Sequence, residues 1–162
     1  MIKIKNWLYK KIIAPLIDQL KQGVSPEKLA ASFAAGFLIG IFPLIGVSTG
    51  ICLIAAYIFR LNHLAIQVAN YTAYPLQFLL VIPFYRAGEM LFQQPPIPLD
   101  LMVIISEFKN HFLEAIKQYG MTGLRSVVVW GIIFPPVYFF IYFTCKKIFL
   151  FLSFKKSIVK KK

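Results

Sequence analysis

Three uncharged stretches dominate the pattern of apolar and polar positions along the chain. They cover residues 29–59, 61–85 and 126–145, and they contain 31, 25 and 20 residues. About 20 helical residues cross the roughly 30 Å hydrocarbon core of a bilayer. The second and third stretches therefore predict one transmembrane helix each, over 61–85 and within a C-terminal region 126–152. One straight helix over 29–59 would be about 46 Å long, which is too long for a simple crossing.

Glycine and proline interrupt the first stretch near its middle. The interrupting residues are Gly36, Gly40, Pro43, Gly46 and Gly50. A turn at 40–46 would leave two arms of about a dozen residues each, which is typical of a re-entrant segment. The glycines would let another helix approach closely, and the break would free backbone groups that protein or water must satisfy. We therefore predict a re-entrant hairpin over 29–59; the alternative is that the glycines serve only packing and Pro43 only a kink.

Amphipathic segments flank these stretches. Residues 1–22 combine lysines with apolar residues at four-residue spacing, which is typical of a helix lying in the membrane interface. Residues 99–119 carry an apolar stripe beside charged positions and predict one helix that covers the bundle or lies on the bilayer. Glycines at 120 and 123 are expected to separate this helix from the last span. Prolines at 75, 83, 135 and 136 are expected as breaks within the spans. Ser25 and Pro26 predict a helix start before the first stretch, with Ser25 as the N-cap and Pro26 as the first helical residue.

The chain thus divides into four predicted parts. They are an interfacial helix over 1–22, a membrane domain over 23–125, the C-terminal transmembrane region 126–152 and a lysine-rich tail over 153–162. The predicted fold is an all-α integral membrane protein with a Gly/Pro-broken re-entrant hairpin, two further transmembrane helices and amphipathic interfacial helices.

Composition and charge support a membrane protein. Hydrophobic residues make up 59% of the chain and the net charge is +12, whereas soluble domains bury fewer apolar residues. If all three stretches crossed, ten Lys and Arg would lie inside and eight outside; with 29–59 folded back, fourteen lie inside and four outside. Lys and Arg favour cytoplasmic loops, so the hairpin is preferred and both termini are predicted to be cytoplasmic. A different folded-back stretch, broken at Pro75 or at Pro135 and Pro136, stays open.

Several short motifs carry a family resemblance. They are Ser25-Pro26-Glu27-Lys28-Leu29-Ala30, the segment 34–46, Arg60-Leu61-Asn62, Tyr74-Pro75-Leu76 and Tyr85-Arg86-Ala87-Gly88. These motifs resemble those of the domain-of-unknown-function 2062 family of bacterial membrane proteins. The chain departs from the family at Tyr74, where many members carry Asn before the proline; Asn70 lies four residues earlier. The resemblance implies a bacterial inner-membrane domain, sometimes fused to glycosyltransferases, and it carries over no activity.

Polar residues beside apolar stretches are the candidate substrate-binding residues, namely Arg60, Asn70 and Arg86. Ionisable groups at membrane depth favour a function, although both arginines lie at stretch ends, where anchoring to headgroups is the alternative. Glu89, three residues after Arg86, is expected to form a local ion pair with it. Hairpin break and helix packing are assigned to Gly36, Gly40, Pro43, Gly46, Gly50 and Pro75.

Other chemistry lacks support in the sequence. His63 and His111 are far apart with no further ligands at metal spacing, and no catalytic motif is present, so we expect no metal, no cofactor and no enzymatic activity. Cys52 and Cys145 lie in apolar runs, which indicates that they serve as small hydrophobic residues. The basic residues border apolar runs without a recognition module, so anionic lipid headgroups are the expected partners and nucleic acid is not.

Two functions remain from the sequence. One is transport or flipping of an anionic or lipid-linked substrate, and the other is a membrane scaffold for an envelope enzyme such as a glycosyltransferase. Because two short arms and two crossings enclose little volume, we expect either function to require a homo-oligomer.

Overall fold

The computed structural model describes residues 14–159, with side chains at all of these positions except 20, 21, 101 and 154–159. This part of the chain forms six α-helices and no strand, which confirms the all-α class. The helices are α1 (Ala14–Lys21), α2 (Pro26–Gly40), α3 (Ser48–Ile58), α4 (His63–Leu91), α5 (Leu101–Asn110) and α6 (Phe112–Val159).

The first uncharged stretch folds as two helices, α2 and α3, joined by residues 41–47. The Ser25 side chain caps α2 by accepting a hydrogen bond from the Lys28 amide (3.2 Å), and Pro26 is the first helical residue, as the sequence predicts. The chain then reverses, since Ala35 of α2 and Ala56 of α3 lie in one buried cluster. The helix break thus coincides with the predicted turn, while its placement relative to a membrane stays a prediction.

Two long helices, α4 and α6, form the rest of the bundle. Buried contacts pair the start of α4 with the start of α2 and with Phe149 near the end of α6. Gly88 near the end of α4 lies against Ser126, so α4 and α6 are antiparallel. Residues 65–88 of α4 and 126–149 of α6 each extend about 35 Å at 1.5 Å per residue. Both α4 and residues 112–153 of α6 are long and apolar enough to cross a bilayer.

Four prolines that were expected to break the spans lie inside continuous helices. They are Pro75, Pro83, Pro135 and Pro136. A proline removes one backbone hydrogen bond, and a long helix that packs against its neighbours tolerates that loss. The expected breaks at these positions are therefore wrong, whereas the break between α2 and α3 combines proline with a left-handed glycine, Gly46, at φ +91°.

The single helix predicted over 99–119 is also wrong. Asp100 caps α5 by accepting a hydrogen bond from the Met102 amide (2.8 Å), and α5 ends at Asn110. The chain bends at His111, and α6 begins at Phe112 and continues through 120–123. The bend brings Phe108 of α5 against Tyr119 of α6, with ring centroids 5.8 Å apart. This contact between the two rings stabilises the bent arrangement of α5 and α6.

Helix α1 overlaps only the end of the interfacial helix predicted over 1–22, and most of that prediction lies outside the described residues. Leu16 of α1 is 4% exposed and packs in a cluster with Leu29, Ala65 and Phe149. The described part of α1 is therefore packed on the bundle. The division of the chain into 1–22, 23–125, 126–152 and 153–162 stays a prediction.

Candidate functional site

The break after α2 frees carbonyl groups, and neighbouring helices satisfy two of them. The indole Nε1 of Trp130 on α6 donates to the Leu38 carbonyl (3.0 Å), and Gln77 Nε2 on α4 donates to the Phe42 carbonyl (2.7 Å). The ring of Trp130 also meets Phe42 edge-on, with centroids 4.9 Å apart. Backbone groups released by a broken helix must find partners when water is excluded. Both long helices therefore hold the C-terminal end of α2 in place.

Two glycines bring α2 against the backbone of α4. A Cβ on Gly36 would overlap with the carbonyl of Ile66, and a Cβ on Gly40 would lie 2.7 Å from Ala73 Cβ. Only glycine permits this approach. Gly88 makes a comparable approach of α4 to α6, where a Cβ would lie 2.9 Å from the Ser126 amide nitrogen. The sequence did not single out Gly88 for packing, because its partner is far away along the chain.

The remaining predicted packing residues have different surroundings. Pro43 is fully buried in the connection, and Gly46 provides its left-handed turn. A Cβ on Gly50 would meet nothing within 4 Å, and Pro75 is exposed on α4. Within the hairpin, close helix approach is thus concentrated at Gly36 and Gly40.

A group of polar side chains joins the start of α3 to α4, and we call it the polar cluster. It consists of Ser48, Thr49, Gln67, Asn70 and Tyr74. The hydroxyls of Thr49 and Tyr74 share a hydrogen bond of 2.7 Å. Asn70 Nδ2 donates to Thr49 Oγ1 (3.2 Å) and to Gln67 Oε1 (3.4 Å). The cluster therefore links both helices through side chains that a purely apolar interface would lack.

Two buried atoms of the polar cluster have no hydrogen-bond partner among the described residues. They are Ser48 Oγ and Asn70 Oδ1, in side chains that are 1% and 0% exposed. The residue before α3, Val47, also provides no side-chain cap for its first amides. A buried polar atom without a partner costs about 1–3 kcal/mol. Asn70 Oδ1, the Ser48 hydroxyl and the first amides of α3 could therefore each form a hydrogen bond with a polar group of a ligand.

Arg60 lies at the turn between α3 and α4, at one end of the bundle. It takes a left-handed conformation, φ 51°, which the Leu61 amide stabilises by donating to the Ala56 carbonyl (2.9 Å). Its side chain lines a surface groove of about 540 Å³ together with Lys28 and His63. No acidic residue lines this groove in the described part of the chain. We call it the cationic groove, and it can attract an anion.

Arg86 lies near the other end of α4 and has structural partners. Its guanidinium contacts the Glu89 carboxylate at 2.8 Å and donates to the Ile97 carbonyl at 3.1 Å. Glu89 is 3% exposed and accepts a hydrogen bond from the Ile97 amide (2.8 Å). The ion pair expected from the sequence is confirmed, and it holds the segment after α4 against the helix.

The structure does not bring the three candidate binding residues together. Arg60 and Arg86 lie at opposite ends of α4, and Asn70 lies about 10 Å along that helix from His63. The hydrogen-bond partners of Asn70, namely Thr49 and Gln67, were not predicted from the sequence, and neither was Lys28 beside Arg60. The one available signal was the departure from the family motif at Tyr74, which places a hydroxyl opposite Thr49.

Metal-ligating side chains do not gather in the described residues, where no group of three or more His, Cys, Asp or Glu could hold an ion. Cys52 is buried and Cys145 is half-buried, and both are free thiols. The expectation that the protein is not an enzyme stays a prediction.

These features define a class, a small all-α protein with two helices fit to cross a bilayer and a broken helical hairpin packed against them. The chain belongs to a bacterial family described as "Uncharacterized protein conserved in bacteria (DUF2062)", whose model matches residues 11–156. The family resemblance seen in the sequence is therefore confirmed. No curated protein and no solved structure matches the chain.

Proposed function

We propose that the protein is a multi-pass protein of the bacterial inner membrane that moves an anionic or lipid-linked substrate. In this proposal α4 and α6 cross the bilayer, and α2 and α3 form a re-entrant hairpin that enters from the cytoplasmic side. The 35 Å lengths over which α4 and α6 pack support the crossings, because they match the hydrocarbon core plus its margins. Exposed aromatic side chains such as Phe140 (72%) and Phe151 (69%) support a lipid-facing surface.

The distribution of charge supports the orientation. Lys28, Arg60 and Lys146 lie at the end of the bundle where the hairpin opens, since Lys146 is 3.6 Å from the Glu27 carboxylate beside Lys28. Cytoplasmic surfaces of membrane proteins are rich in Lys and Arg. Arg86 and Arg125, near the opposite end, would then face the periplasm.

The polar cluster is the observation that carries the proposal. In the proposed orientation it lies inside the hydrocarbon region, where polar groups are costly and usually mark a pathway or a binding site. It also lies at the N-terminus of a half-length helix, as binding sites of many transporters do. An anionic substrate would be attracted by Arg60 and Lys28 at the surface and would pass the polar cluster about 10 Å deeper.

A lipid-movement assay tests the proposal. The full chain is reconstituted in vesicles that contain fluorescent phosphatidylglycerol, and dithionite quenches the label in the outer leaflet. We expect complete quenching with the protein and half quenching in empty vesicles. Labelled lipid that starts in the inner leaflet is quenched only after the protein has moved it outward. Asn70→Leu should slow this later quenching at least about tenfold, because it removes a polar group from the path.

The matched control is Thr72→Val, on the same helix but outside the polar cluster, where the hydroxyl only donates to the Val68 carbonyl. This variant should retain the movement. The proposal fails if the protein gives the same curve as empty vesicles, or if Asn70→Leu and Thr72→Val behave alike.

A membrane scaffold is the second candidate function, and exposed apolar residues on α5 and the start of α6 support it. Met102 and Leu113 are 79% and 80% exposed, and such residues mark contact with a protein or a membrane. A scaffold for a glycosyltransferase predicts that Met102→Ser and Leu113→Ser abolish co-purification of that enzyme. Asn70→Leu should then have no effect on co-purification.

A further inference from the structure

We infer that the cytoplasmic end of the hairpin holds one lipid by both of its parts, with a phosphate headgroup in the cationic groove and a hydrocarbon tail in an adjacent apolar groove. This inference rests on the membrane placement proposed above and names the substrate class of that site. It is carried by two grooves that share one wall.

The apolar groove lies between the hairpin and α6 and has a volume of about 320 Å³. This volume falls at the lower end of the roughly 300–1,000 Å³ typical of ligand sites. Its walls are formed by Ala35, Ile39, Ala55, Phe59, Phe134 and Tyr138, and Leu61 lies at the end that faces the cationic groove. The small side chains of Ala35 and Ala55 leave the space open, and the aromatic rings of α6 form the opposite side.

The two grooves meet at Leu61, which lines both. Arg60 lines the cationic groove and its neighbour Phe59 lines the apolar groove. A charged surface and an apolar surface therefore lie side by side. Arg60 is also the single charged residue between the first two uncharged stretches, which places it at headgroup level in the proposed orientation. A ligand that fits both grooves must be amphipathic and negatively charged at one end.

The electrostatics of this end favour a phosphate. Lys28 and Arg60 line the cationic groove, and guanidinium and ammonium groups together bind phosphate well. The N-termini of α2 and α4 lie at the same end and add positive partial charge, whereas the last turn of α3, which lines the groove, adds negative partial charge. The preference for an anion therefore depends on the Lys28 and Arg60 side chains. The one nearby carboxylate on α2, Glu27, contacts Lys146. The groove therefore has a surplus of positive charge toward a bound headgroup.

The tail alone cannot confer selectivity, because the chains of the surrounding lipids are equally apolar. Preference must come from the headgroup, while the apolar groove fixes where the tail lies. Removing the positive charge of Arg60 should thus abolish the preference for a phosphate-bearing ligand over an uncharged one. Filling the apolar groove should weaken binding of the ligand that carries a tail and leave binding of free phosphate unchanged.

Native mass spectrometry of the full chain in phosphatidylcholine nanodiscs tests the inference with three probes. Dodecyl phosphate has both parts, dodecanol has only the tail, and inorganic phosphate has only the headgroup. We expect one dodecyl phosphate per chain. It should bind at least about tenfold more tightly than dodecanol, since a charge-assisted contact supplies about that factor. It should also bind more tightly than inorganic phosphate, since only the tail-bearing probe buries apolar surface.

Matched variants locate the site. Arg60→Gln should weaken dodecyl phosphate about tenfold, whereas Arg60→Lys, which has the same backbone strain but keeps the charge, should retain binding. Ala55→Phe should fill the apolar groove and weaken dodecyl phosphate without changing inorganic phosphate. Leu53→Phe, on an exposed face of the same helix, should leave both unchanged.

The experiments distinguish failure of the lipid-binding inference from failure of the proposed lipid transport. If Arg60→Gln binds dodecyl phosphate as the native chain does, the inference is overturned even when lipid movement is observed. If lipid movement is absent but the Arg60 variants and Ala55→Phe change binding as described, the inference holds and the proposed transport fails. If Ala55→Phe does not fold, the comparison of Arg60→Gln with Arg60→Lys still tests the inference. Arg60 is exposed, so neither change should prevent folding.

Discussion

Replacing Gly36 by alanine is the sharpest test of the helix packing. The new Cβ would overlap with the carbonyl group of Ile66 on α4, and all of the three nearest atoms are backbone. Backbone atoms of a packed helix cannot rotate aside, so α2 and α4 must separate. Overpacking of this kind costs about 1–3 kcal/mol, and a helical Gly→Ala change returns about 0.5–1 kcal/mol. Because the overlap is with backbone atoms, we expect a cost in the upper part of that range, about 2–3 kcal/mol, and a net loss of about 1–2.5 kcal/mol in the free energy of unfolding.

Gly50→Ala is the matched control, because it lies in α3 with nothing within 4 Å of the added Cβ. It should gain about 0.5–1 kcal/mol from helix propensity. The two variants differ from the native protein by one methyl group each and should move in opposite directions. Unfolding by SDS, followed by circular dichroism in mixed micelles, measures the difference. A Gly36→Ala protein that is as stable as Gly50→Ala would refute the close approach of α2 and α4.

Three further changes test other parts of the structure. Glu89→Ala should expose the segment after α4 to limited proteolysis, because it leaves the Ile97 amide and Arg86 without their carboxylate at a cost of about 1–3 kcal/mol; the exposed Glu114→Ala should not. Trp130→Phe keeps an aromatic ring but removes the donor to the Leu38 carbonyl, and it should cost about 1 kcal/mol in SDS unfolding. A cysteine at 61 in a chain without its native thiols should react with a membrane-impermeant reagent from the cytoplasmic side only, and reaction from the outside alone contradicts the re-entrant hairpin.

The sequence was most informative where a local pattern determines the structure. Glycine and proline between 36 and 50 indicated the break in the first stretch, and Ser25 with Pro26 indicated the start of α2. The same residue types were misleading elsewhere. Pro75 and the glycines at 120 and 123 lie inside continuous helices, because packing against other helices outweighs local propensity.

The candidate site was predicted only in part, because it depends on which residues meet across the bundle. Asn70 was recognised as a polar residue in an apolar stretch. Its partner Thr49 hydrogen-bonds Tyr74, 25 positions away, and that pairing follows from the register of α3 on α4. Arg60 and Arg86 looked equivalent in sequence, but only the structure shows that Arg86 is engaged by Glu89 and Ile97.

The depth that the hairpin reaches has a consequence for the membrane around it. Leu44 of the connection at 41–47 lies against α6, because a Cβ on Gly123 would be 3.0 Å from Leu44 Cδ2. Gly123 lies three residues before Ser126, at the end where Gly88 of α4 meets α6. In the proposed orientation the hairpin therefore accompanies α4 and α6 through most of the bilayer. The bundle then occupies a similar area in both leaflets, so its insertion alone should not bend the membrane.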